Sequence, residues 1–399
     1  MPKILRIVNR FNLGGPVFNA AYLTKYLPSS YETLLIGGQE EPHEDSALYI
    51  LNQLGISYEV IPELKRPISL ANDYAAYKKI KTIIQQFNPD IVHTHASKAG
   101  LIGRLAAYKA GIPIIVHTYH GHVFHSYFGP IKTSLIINLE RYLARKTTKI
   151  ITISSIQDNE IKHFLRLSSS SKKTTVIPLG IDTHKFIPPS DSQNRRASFC
   201  QYYHLPNDAV IIGIIGRLVS VKNHALFLSA FAKAKNQTKK KLVAVIVGDG
   251  DLRSSLEKQA DLLGLSTATP QHPIDNPDII FTSWIRKIET IYPVLDIVAL
   301  SSVNEGTPVS LIEAQAAEKI VVSTNVGGVN DTLLFSDKSH ILSPPNQVEH
   351  FAQNLLFWIE NKELREKTAH KNAQKVREFF HYNRLVNDID DLYKKLFLI

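Results

Sequence analysis

Cysteine is almost absent from this chain of 399 residues, which contains Cys200 alone. A single cysteine excludes an internal disulfide and a cysteine-rich metal site, and it fits a reducing compartment. Long apolar runs are missing as well, since no stretch approaches the roughly 18 apolar residues of a membrane-spanning helix. The first residues, MPKILRIVNRFN, are too short and too interrupted for a secretory signal. We therefore expect a cytoplasmic protein.

Acidic residues are missing from one long region. No Asp or Glu occurs from Ile91 to Leu139, a segment whose basic residues include Lys98, Arg104, Lys109 and Lys132. Residues 1–185 carry 22 Lys and Arg against 13 Asp and Glu, whereas the remaining residues carry 24 against 23. Such a basic half attracts phosphates, anionic lipid or nucleic acid, and a solvated basic face explains it equally well. Nucleic acid is the least favoured partner because no binding module is recognisable.

Apolar runs of strand length alternate with helical stretches along the chain, which is typical of parallel sheets covered by helices. The first half has seven runs: KILRIV, TLLIGG, YEVIP, IVHTH, IPIIVHT, KIITIS and TTVIP. The second half has five: AVIIGIIG, KLVAVIVGDG, DIIFTS, DIVALSS and KIVVST. We predict an α/β protein with two doubly wound, Rossmann-like domains, residues 1–185 and 186–380. A last helix in residues 381–399 is expected to pack toward the N-terminal domain.

Ligands of open parallel sheets bind beyond the carboxyl ends of the strands, and one such junction carries two glutamates. Glu305 follows the run DIVALSS, and Pro308 fits the first position of a helix that contains Glu313. The free N–H groups of the first turn of this helix, with the positive end of its dipole, favour an anion such as a diphosphate. The two carboxylates can then accept hydrogen bonds from sugar hydroxyls. Ordinary charges at a helix N-terminus are the alternative interpretation.

Two further junctions have suitable residues. Gly14 and Gly15 follow the first strand and permit close backbone approach to a phosphate or sugar, although a tight turn alone also favours glycine. Arg217 ends the first strand of the second half, and Lys222 follows it in the same loop. Two cations there can neutralise a diphosphate leaving group, or they can be isolated surface charges.

Histidines are concentrated in one segment: His93, His95, His117, His120, His122 and His125 fall within 33 residues. A zinc site is conceivable, but no carboxylate or cysteine in the segment completes it. Half-buried core histidines are the alternative for His93 and His95. We expect His120, at a strand end, to hydrogen-bond a sugar or phosphate oxygen. The Asp-x-Asp pattern in GDGDL is interpreted as a glycine-rich turn in which Asp249 and Asp251 bond the backbone or cap the next helix, and not as a metal motif.

Together these segments resemble the family 4 glycosyltransferases, retaining enzymes of the GT-B fold, and especially bacterial members that build surface polysaccharides. The resemblance covers nearly the whole chain. Its segments in order are the loop Gly14 to Pro16, IVHTHASKAGLIGRLAA, VHTYHGHVF, VIPLGIDTHKF, GRLVSVKNH, VGDGDL and NEGTPVSLIEAQAA. The family fold implies two parallel sheets that face each other across a cleft.

The resemblance implies a role for each matching residue. Glu305 would contact donor-sugar hydroxyls, Glu313 would hold the ribose, and the Gly306, Thr307, Pro308 and Val309 loop would lie against sugar and phosphates. Arg217 and Lys222 match the basic pair on the donor diphosphate, and His120 matches the histidine that faces the reacting sugar. Gly14 and Gly15 would face the phosphates, and Ile285, between Trp284 and Arg286, would meet the base. The catalytic set is thus Glu305, Arg217, Lys222 and His120.

Three positions depart from the family pattern: Thr307 replaces a more frequent aromatic residue, Leu179 stands where Asn is common, and Glu318 stands where a small residue is common. The first can alter the preference for the donor sugar. The implied reaction is retaining transfer of a hexose or N-acetylhexosamine from a nucleotide diphosphate, for which we expect UDP. It uses no metal or other cofactor, and the leaving phosphate accepts the proton. Closure about the segment from Pro178 to Asp182 would exclude water.

The acceptor is expected to bind the basic first domain, near Lys98. A saccharide linked to polyprenyl diphosphate at the inner membrane face would explain the acid-free region and the apolar-basic segment from Ile131 to Lys146, which core packing explains equally well. Peripheral contact with an anionic membrane is therefore a hypothesis. Two rival functions are a sugar-nucleotide epimerase of the same fold and a non-catalytic sugar-nucleotide-binding protein.

Overall fold

The computed structural model describes residues 1–12, 14–41, 46–65, 67–121 and 129–398. The chain forms two compact units: unit 1 comprises Met1–Ile181 and Tyr382–Ile399, and unit 2 comprises Asp182–His381. The chain passes from unit 1 to unit 2 after Ile181, whereas the sequence predicted a domain boundary near residue 185. It returns to unit 1 at Tyr382. Within the described residues, no helix combines the length and the apolar character needed to cross a membrane.

Unit 1 is built on a seven-stranded sheet in the order β3-β2-β1-β4-β5-β6-β7. All its described strand pairs are parallel. The strands are β1 (Lys3–Arg10), β2 (Glu32–Gly38), β3 (Tyr58–Val60), β4 (Ile91–His95), β5 (Ile114–Thr118), β6 (Lys149–Thr152) and β7 (Thr174–Val176). Because the central strands β1, β4 and β5 are adjacent and parallel, the loops that follow them leave the same edge of the sheet.

The helices of unit 1 alternate with these strands and bury their apolar faces against the sheet. They are α1 (Gly15–Tyr26), α2 (Leu48–Gln53), α3 (Leu70–Phe87), α4 (Ser97–Lys109), α5 (Pro130–Lys146), α6 (Ser155–Leu165) and, from the end of the chain, α14 (Tyr382–Phe397). Helix α14 returns to pack on α1, where the rings of Tyr22 and Tyr382 stack with centroids 4.8 Å apart. Tyr393 of α14 is fully buried in this unit.

Unit 2 repeats the architecture with the strand order β10-β11-β9-β8-β12-β13-β14. Its strands are β8 (Val210–Ile215), β9 (Leu242–Val247), β10 (Thr267–Ala268), β11 (Ile279–Ser283), β12 (Ile297–Leu300), β13 (Ile320–Thr324) and β14 (Leu342–Ser343). The pairs described in this sheet are parallel as well. Strands β8 and β12 are neighbours in the middle of the sheet, so the loops after them emerge side by side.

The helices of unit 2 are α7 (Ser192–Tyr202), α8 (His224–Asn236), α9 (Arg253–Leu262), α10 (Val309–Ala316), α11 (Val329–Thr332), α12 (Val348–Glu360) and α13 (Lys362–Phe379). Short 3-10 turns lie at Thr183–Phe186, Ser220–Lys222, Ile288–Thr290 and Tyr292–Val294. Helix α10 begins one residue later than predicted. Pro308 has ψ 104°, an extended value, so it precedes the helix as its cap and Val309 is the first helical residue.

The prediction of two doubly wound parallel sheets is confirmed. The twelve apolar runs correspond to β1 to β9 and β11 to β13. The two strands that were not predicted, β10 and β14, have two residues each. Two residues are too few to show an alternating or continuous apolar pattern, so only pairing with a neighbour strand defines them.

Candidate functional site

Two loops of unit 2, those after β8 and β12, are joined by backbone contacts. The N–H of Val303 donates to the carbonyl of Val221 over 2.9 Å. The hydroxyl of Ser301 donates to the carbonyl oxygens of Lys222 and Asn223, over 3.0 and 2.9 Å. Loop carbonyl groups without a partner in their own segment need outside donors, and here the loop after β12 supplies them. The loop that carries Lys222 is thus fixed against the loop that carries Glu305.

Lys222 and Glu305 form an ion pair at this junction. Nζ of Lys222 lies 2.6 Å from Oε1 of Glu305, and the hydroxyl of Ser302 donates to the same oxygen over 2.6 Å. The Glu305 side chain is only 11% exposed, so these two donors replace most of the water that would otherwise solvate it. Within the described residues, nothing donates to Oε2 of Glu305, which is therefore available to a further hydroxyl.

The backbone of Glu305 rests on a glycine that sequence reasoning did not single out. Gly327 has φ +47°, and a Cβ built on it would lie 1.9 Å from the carbonyl oxygen of Glu305. The next residue, Gly328, donates its N–H to that oxygen over 3.1 Å. Only glycine permits this approach and this conformation. The pair of glycines in STNVGGV was the available sequence signal.

The N-terminus of α10 follows Glu305 directly. Gly306, Thr307, Pro308 and Val309 lead into the helix, whose first N–H groups have no side-chain cap. The hydroxyl oxygen of Thr307 is buried, and no described residue bonds it. A buried hydroxyl without a partner is costly, and a bound polar ligand can satisfy it.

Glu313 lies one turn further along α10, beside a tyrosine. The hydroxyl of Tyr292 donates to Oε2 of Glu313 over 2.7 Å. Burial raises the pKa of Glu313 to about 7; the hydrogen bond from Tyr292 opposes this shift and the charge of Glu289 adds to it. The carboxyl group is therefore partly protonated at neutral pH. Sequence reasoning found Glu313 but missed Tyr292, which precedes it by 21 residues.

Arg217 and Ile285 also lie at strand ends of unit 2. Arg217 is exposed after β8 and forms no ion pair with another described residue. Ile285 is half-buried after β11, next to Trp284, which is 51% exposed. In the GDGDL segment, Asp249 bonds the backbone, since its Oδ1 accepts from the N–H of Gly250 over 2.8 Å, but helix α9 has no side-chain cap. A Cβ on Gly248 would lie 2.1 Å from the carbonyl oxygen of Gly216, so only glycine at this position lets the turn pack against the loop with Arg217.

Unit 1 places Gly14 and Gly15 after β1 and His120 after β5, and β4 lies between these two parallel strands. Gly14 precedes α1, and its carbonyl accepts from Val17 over 3.1 Å. His120 is half-buried, and Nε2 of its ring lies 3.0 Å from Nδ1 of His95. Burial lowers the pKa of His120 to about 4, so the ring is neutral at neutral pH.

The basic region of unit 1 is less cationic than the sequence indicated. Nζ of Lys98 lies 2.5 Å from Oδ1 of Asp73, on the first turn of α3, so this predicted acceptor residue already has an acidic partner. Arg104 is buried and pairs with Glu140 over 2.7 Å. The acid-free stretch ended at Leu139, and the fold brings the next residue, Glu140, to Arg104. Acidic residues that are distant in sequence thus neutralise part of the positive charge that was predicted for this region.

Three histidines of the predicted segment are core residues of unit 1. His93, His95 and His117 are fully buried, and their described partners are hydroxyl groups and one another. His122 and His125 lie outside the described residues. A different set, Asp182, His184 and His381 of unit 2, places one potential ligand atom each within 4.8 Å of the others. That set contains none of the residues predicted to bind the donor.

Comparison with known proteins adds an independent line of evidence. The model of Glycosyltransferase Family 4 matches residues 13–185, and that of Glycosyl transferases group 1 matches residues 201–376. Over 338 residues the chain is 30% identical to UDP-Gal:alpha-D-GlcNAc-diphosphoundecaprenol alpha-1,3-galactosyltransferase of Escherichia coli, covering 84% of this chain and 82% of the relative. It is 26% identical to the capsular polysaccharide biosynthesis glycosyltransferase CapM of Staphylococcus aureus, covering 84% of each.

A solved structure matches the whole fold. HepE of Anabaena in complex with UDP superposes with a TM-score of 0.77 at 19% identity, covering 98% of this chain and 100% of HepE. This likeness confirms the predicted GT-B fold. The relatives from Escherichia coli and Staphylococcus aureus are glycosyltransferases, which favours group transfer over the epimerase and the binding protein.

Proposed function

Because the chain belongs to glycosyltransferase family 4 and is a glycosyltransferase, we propose that it transfers a hexose or N-acetylhexosamine from UDP to a saccharide acceptor. The anomeric configuration is retained, and the product is part of a surface polysaccharide. The observation that carries this proposal is the cluster of Lys222, Ser302 and Glu305 at the start of α10. It combines a cation, a carboxylate with a free oxygen and a helix N-terminus, which together suit a sugar diphosphate.

The donor diphosphate binds the positive groups of unit 2 in this proposal. Arg217, Lys222 and the N–H groups at the start of α10 stabilise the charge that develops as the bond between the anomeric carbon and the diphosphate oxygen breaks. No metal or other cofactor is assigned to the reaction. The acceptor oxygen bonds to the anomeric carbon on the same face, and its proton passes to the leaving phosphate.

The sugar and the ribose contact the two glutamates. Oε2 of Glu305 accepts hydrogen bonds from sugar hydroxyls, and the unpartnered hydroxyl of Thr307 offers one more polar contact. Glu313 accepts from the ribose, and Ile285 contacts the base. From unit 1, Gly14, Gly15 and His120 contact the phosphates and the reacting sugar.

The acceptor is proposed to be a saccharide linked to polyprenyl diphosphate, as in the name of the Escherichia coli relative. Helix α5 of unit 1 supports contact with the membrane that holds such a lipid. Its exposed face has Ile131, Leu135, Leu139 and Tyr142 at helical spacing, with Ile131 78% and Leu135 66% exposed. Lys132 and Arg145 are exposed on the same helix and suit anionic headgroups. We therefore place the protein at the inner membrane face as a peripheral protein.

The donor assignment can be tested by a thermal-shift screen of UDP-, GDP- and ADP-sugars. We expect UDP-sugars to raise the melting temperature most, and the sugar that does so to turn over with a lipid-linked saccharide. The isosteric change Glu305→Gln should abolish most turnover, while Asn304→Ala, an exposed neighbour, should leave it unchanged. A folded protein that no nucleotide sugar stabilises would refute the proposal.

A further inference from the structure

A buried column of polar side chains runs through unit 1 beneath His120. Arg6 of β1, His93 and His95 of β4, and Tyr393 of α14 are each fully buried. Arg6 has no carboxylate partner within the described residues; its Nη2 donates to the hydroxyl of Tyr393 over 3.5 Å. Buried polar groups are retained at a cost, so this column requires an explanation beyond packing.

Arg6 sets the direction of the hydrogen bonds that Tyr393 and His93 make in the column. Because a guanidinium only donates, the Tyr393 hydroxyl accepts from Arg6 and directs its own proton to Nδ1 of His93, 2.6 Å away. His93 is neutral, since burial lowers its pKa well below the usual value. Its proton is therefore on Nε2, which donates to the hydroxyl oxygen of Thr118 over 2.7 Å.

His95 connects this ordered part of the column to His120. Its ring stacks on His93 with centroids 4.3 Å apart and planes 27° apart, which holds its orientation. Nδ1 of His95 lies 3.0 Å from Nε2 of His120, so one of these two neutral rings donates to the other. Nε2 of His95 is buried, and no described residue bonds it.

The unbonded Nε2 of His95 indicates which of the two rings donates in the hydrogen bond between His95 and His120. If His120 donated, Nε2 of His95 would carry a proton, and a buried N–H group without an acceptor is rare in proteins. If His95 donates from Nδ1, its Nε2 is a bare acceptor, which is tolerated better. Nε2 of His120 then accepts, and the proton of His120 lies on Nδ1, which bonds no described residue.

We propose that His95 is a positioning residue that donates a hydrogen bond to Nε2 of His120 and so holds His120 as the Nδ1–H tautomer. The Nδ1–H group is then always presented as a donor to an oxygen of the donor sugar. This proposal rests on the proposed function for the identity of that ligand. The tautomer itself is a property of the protein without substrate.

The tautomer can be measured without any activity. In protein with ¹⁵N-labelled histidine, we expect the His120 signals at neutral pH, identified by their loss in His120→Ala, to show a protonated Nδ1 and an unprotonated Nε2. His95→Leu removes the donor and should release His120 to the other tautomer or to a mixture. His95→Asn keeps a donor near the position of Nδ1 and should restore the original tautomer. An Nε2–H or doubly protonated His120 in the unaltered protein would overturn the proposal.

The functional consequence can be measured by kinetics. His95→Leu should lower kcat by roughly 10- to 100-fold with little change in KM for the donor, and His95→Asn should recover most of the loss. In combination with His120→Ala, His95→Leu should cause no further loss, because it acts through His120. Additive losses would identify a merely structural role and contradict the proposal. An inactive unaltered protein with the expected tautomer would instead reject the proposed function.

Discussion

Nζ of Lys222 lies 2.6 Å from Oε1 of Glu305, although the two residues are 83 positions apart in the chain. Each belongs to the loop after a central strand of unit 2, and the two strands, β8 and β12, are neighbours. We propose that a donor diphosphate competes with Glu305 for Lys222.

Removal of Lys222 tests this competition. Lys222→Ala should lower kcat by roughly 100- to 1,000-fold, since it removes a positive group from the developing charge on the diphosphate. The neighbouring change Val221→Ala, at an exposed position, serves as the matched control and should have little effect. Steady-state kinetics with the best UDP-sugar measure both. Equal rates for Lys222→Ala and the unaltered protein would remove Lys222 from the catalytic set.

Donor affinity should depend on pH through Glu313, whose pKa is raised from 4.5 to about 7. A ribose hydroxyl donates best to the ionised carboxylate, so affinity for a UDP-sugar should weaken up to about tenfold per pH unit below pH 7. Calorimetric titration between pH 5.5 and about pH 8.5 measures this, with the range chosen to bracket the shifted pKa. Glu313→Gln should bind more weakly at high pH and show no such dependence; a dependence that persists in this variant would assign it to another group.

The same pKa predicts a change in stability. Folded Glu313 binds a proton up to about pH 7 and unfolded glutamate only up to about 4.5, so folding stability falls as pH rises between these values. The full effect is at most about 3 kcal/mol. Glu313→Gln removes this ionisation cost and should melt at a higher temperature than the unaltered protein at pH 8, but not at pH 4. A lower melting temperature at both would contradict the shift.

Gly327 should be intolerant of a side chain because of its contact with Glu305. Gly327→Ala would place Cβ 1.9 Å from the Glu305 carbonyl oxygen and should displace the loop, lowering turnover at least about tenfold. Gly264→Ala is a matched control, since Gly264 also has positive φ, +70°, but open space around it. That change should cost about 1 kcal/mol of stability and leave turnover unchanged. If both variants behaved alike, the contact with Glu305 would have no special role.

The buried pair of Arg104 and Glu140 should stabilise unit 1. Glu140→Ala leaves the Arg104 guanidinium buried without its partner, 2.7 Å away in the intact pair, and should cost about 3–5 kcal/mol in urea unfolding. Glu366→Ala breaks an exposed pair with Lys362 and should cost less than about 1 kcal/mol. A cost for Glu140→Ala as small as that control would mean that water reaches Arg104.

The exposed face of α5 should bind anionic membranes. The double change Ile131→Ser and Leu135→Ser should abolish most co-sedimentation with phosphatidylglycerol vesicles at low salt, because it removes the apolar contact. Leu262→Ser is the matched control, since Leu262 is 88% exposed on α9 of unit 2. High salt should release the unaltered protein as headgroup attraction is screened. Absence of sedimentation at low salt would reject peripheral attachment.

Much of the fold could be predicted because its signals are local. The core strands of a doubly wound sheet are continuous apolar runs, and twelve such runs were enough to predict both sheets. The candidate residues at the strand ends were found in the same way, since a glutamate, a basic pair or a glycine that follows a buried strand occupies the ligand-binding edge.

The partners of those residues could not be predicted, because they come from distant positions. Nothing in the sequence distinguished Ser302 and Tyr292 from other polar residues. Only the fold brings their hydroxyl groups to the carboxylates of Glu305 and Glu313. Lys98 and Arg104 were counted as free cations, and only folding brought Asp73 and Glu140 to them. His95 was one of six nearby histidines, and its bond to His120 depends on the pairing of β4 with β5.

The two-sheet α/β architecture, the family and the residues at the strand ends could all be predicted from the sequence, because they depend on apolar periodicity and on short ordered motifs. Only the folded structure shows which charges are paired, that burial raises the pKa of Glu313 to about 7 and that His95 lies within hydrogen-bond distance of His120. Those properties depend on desolvation and on hydrogen-bond partners, and both exist only once distant segments are packed together.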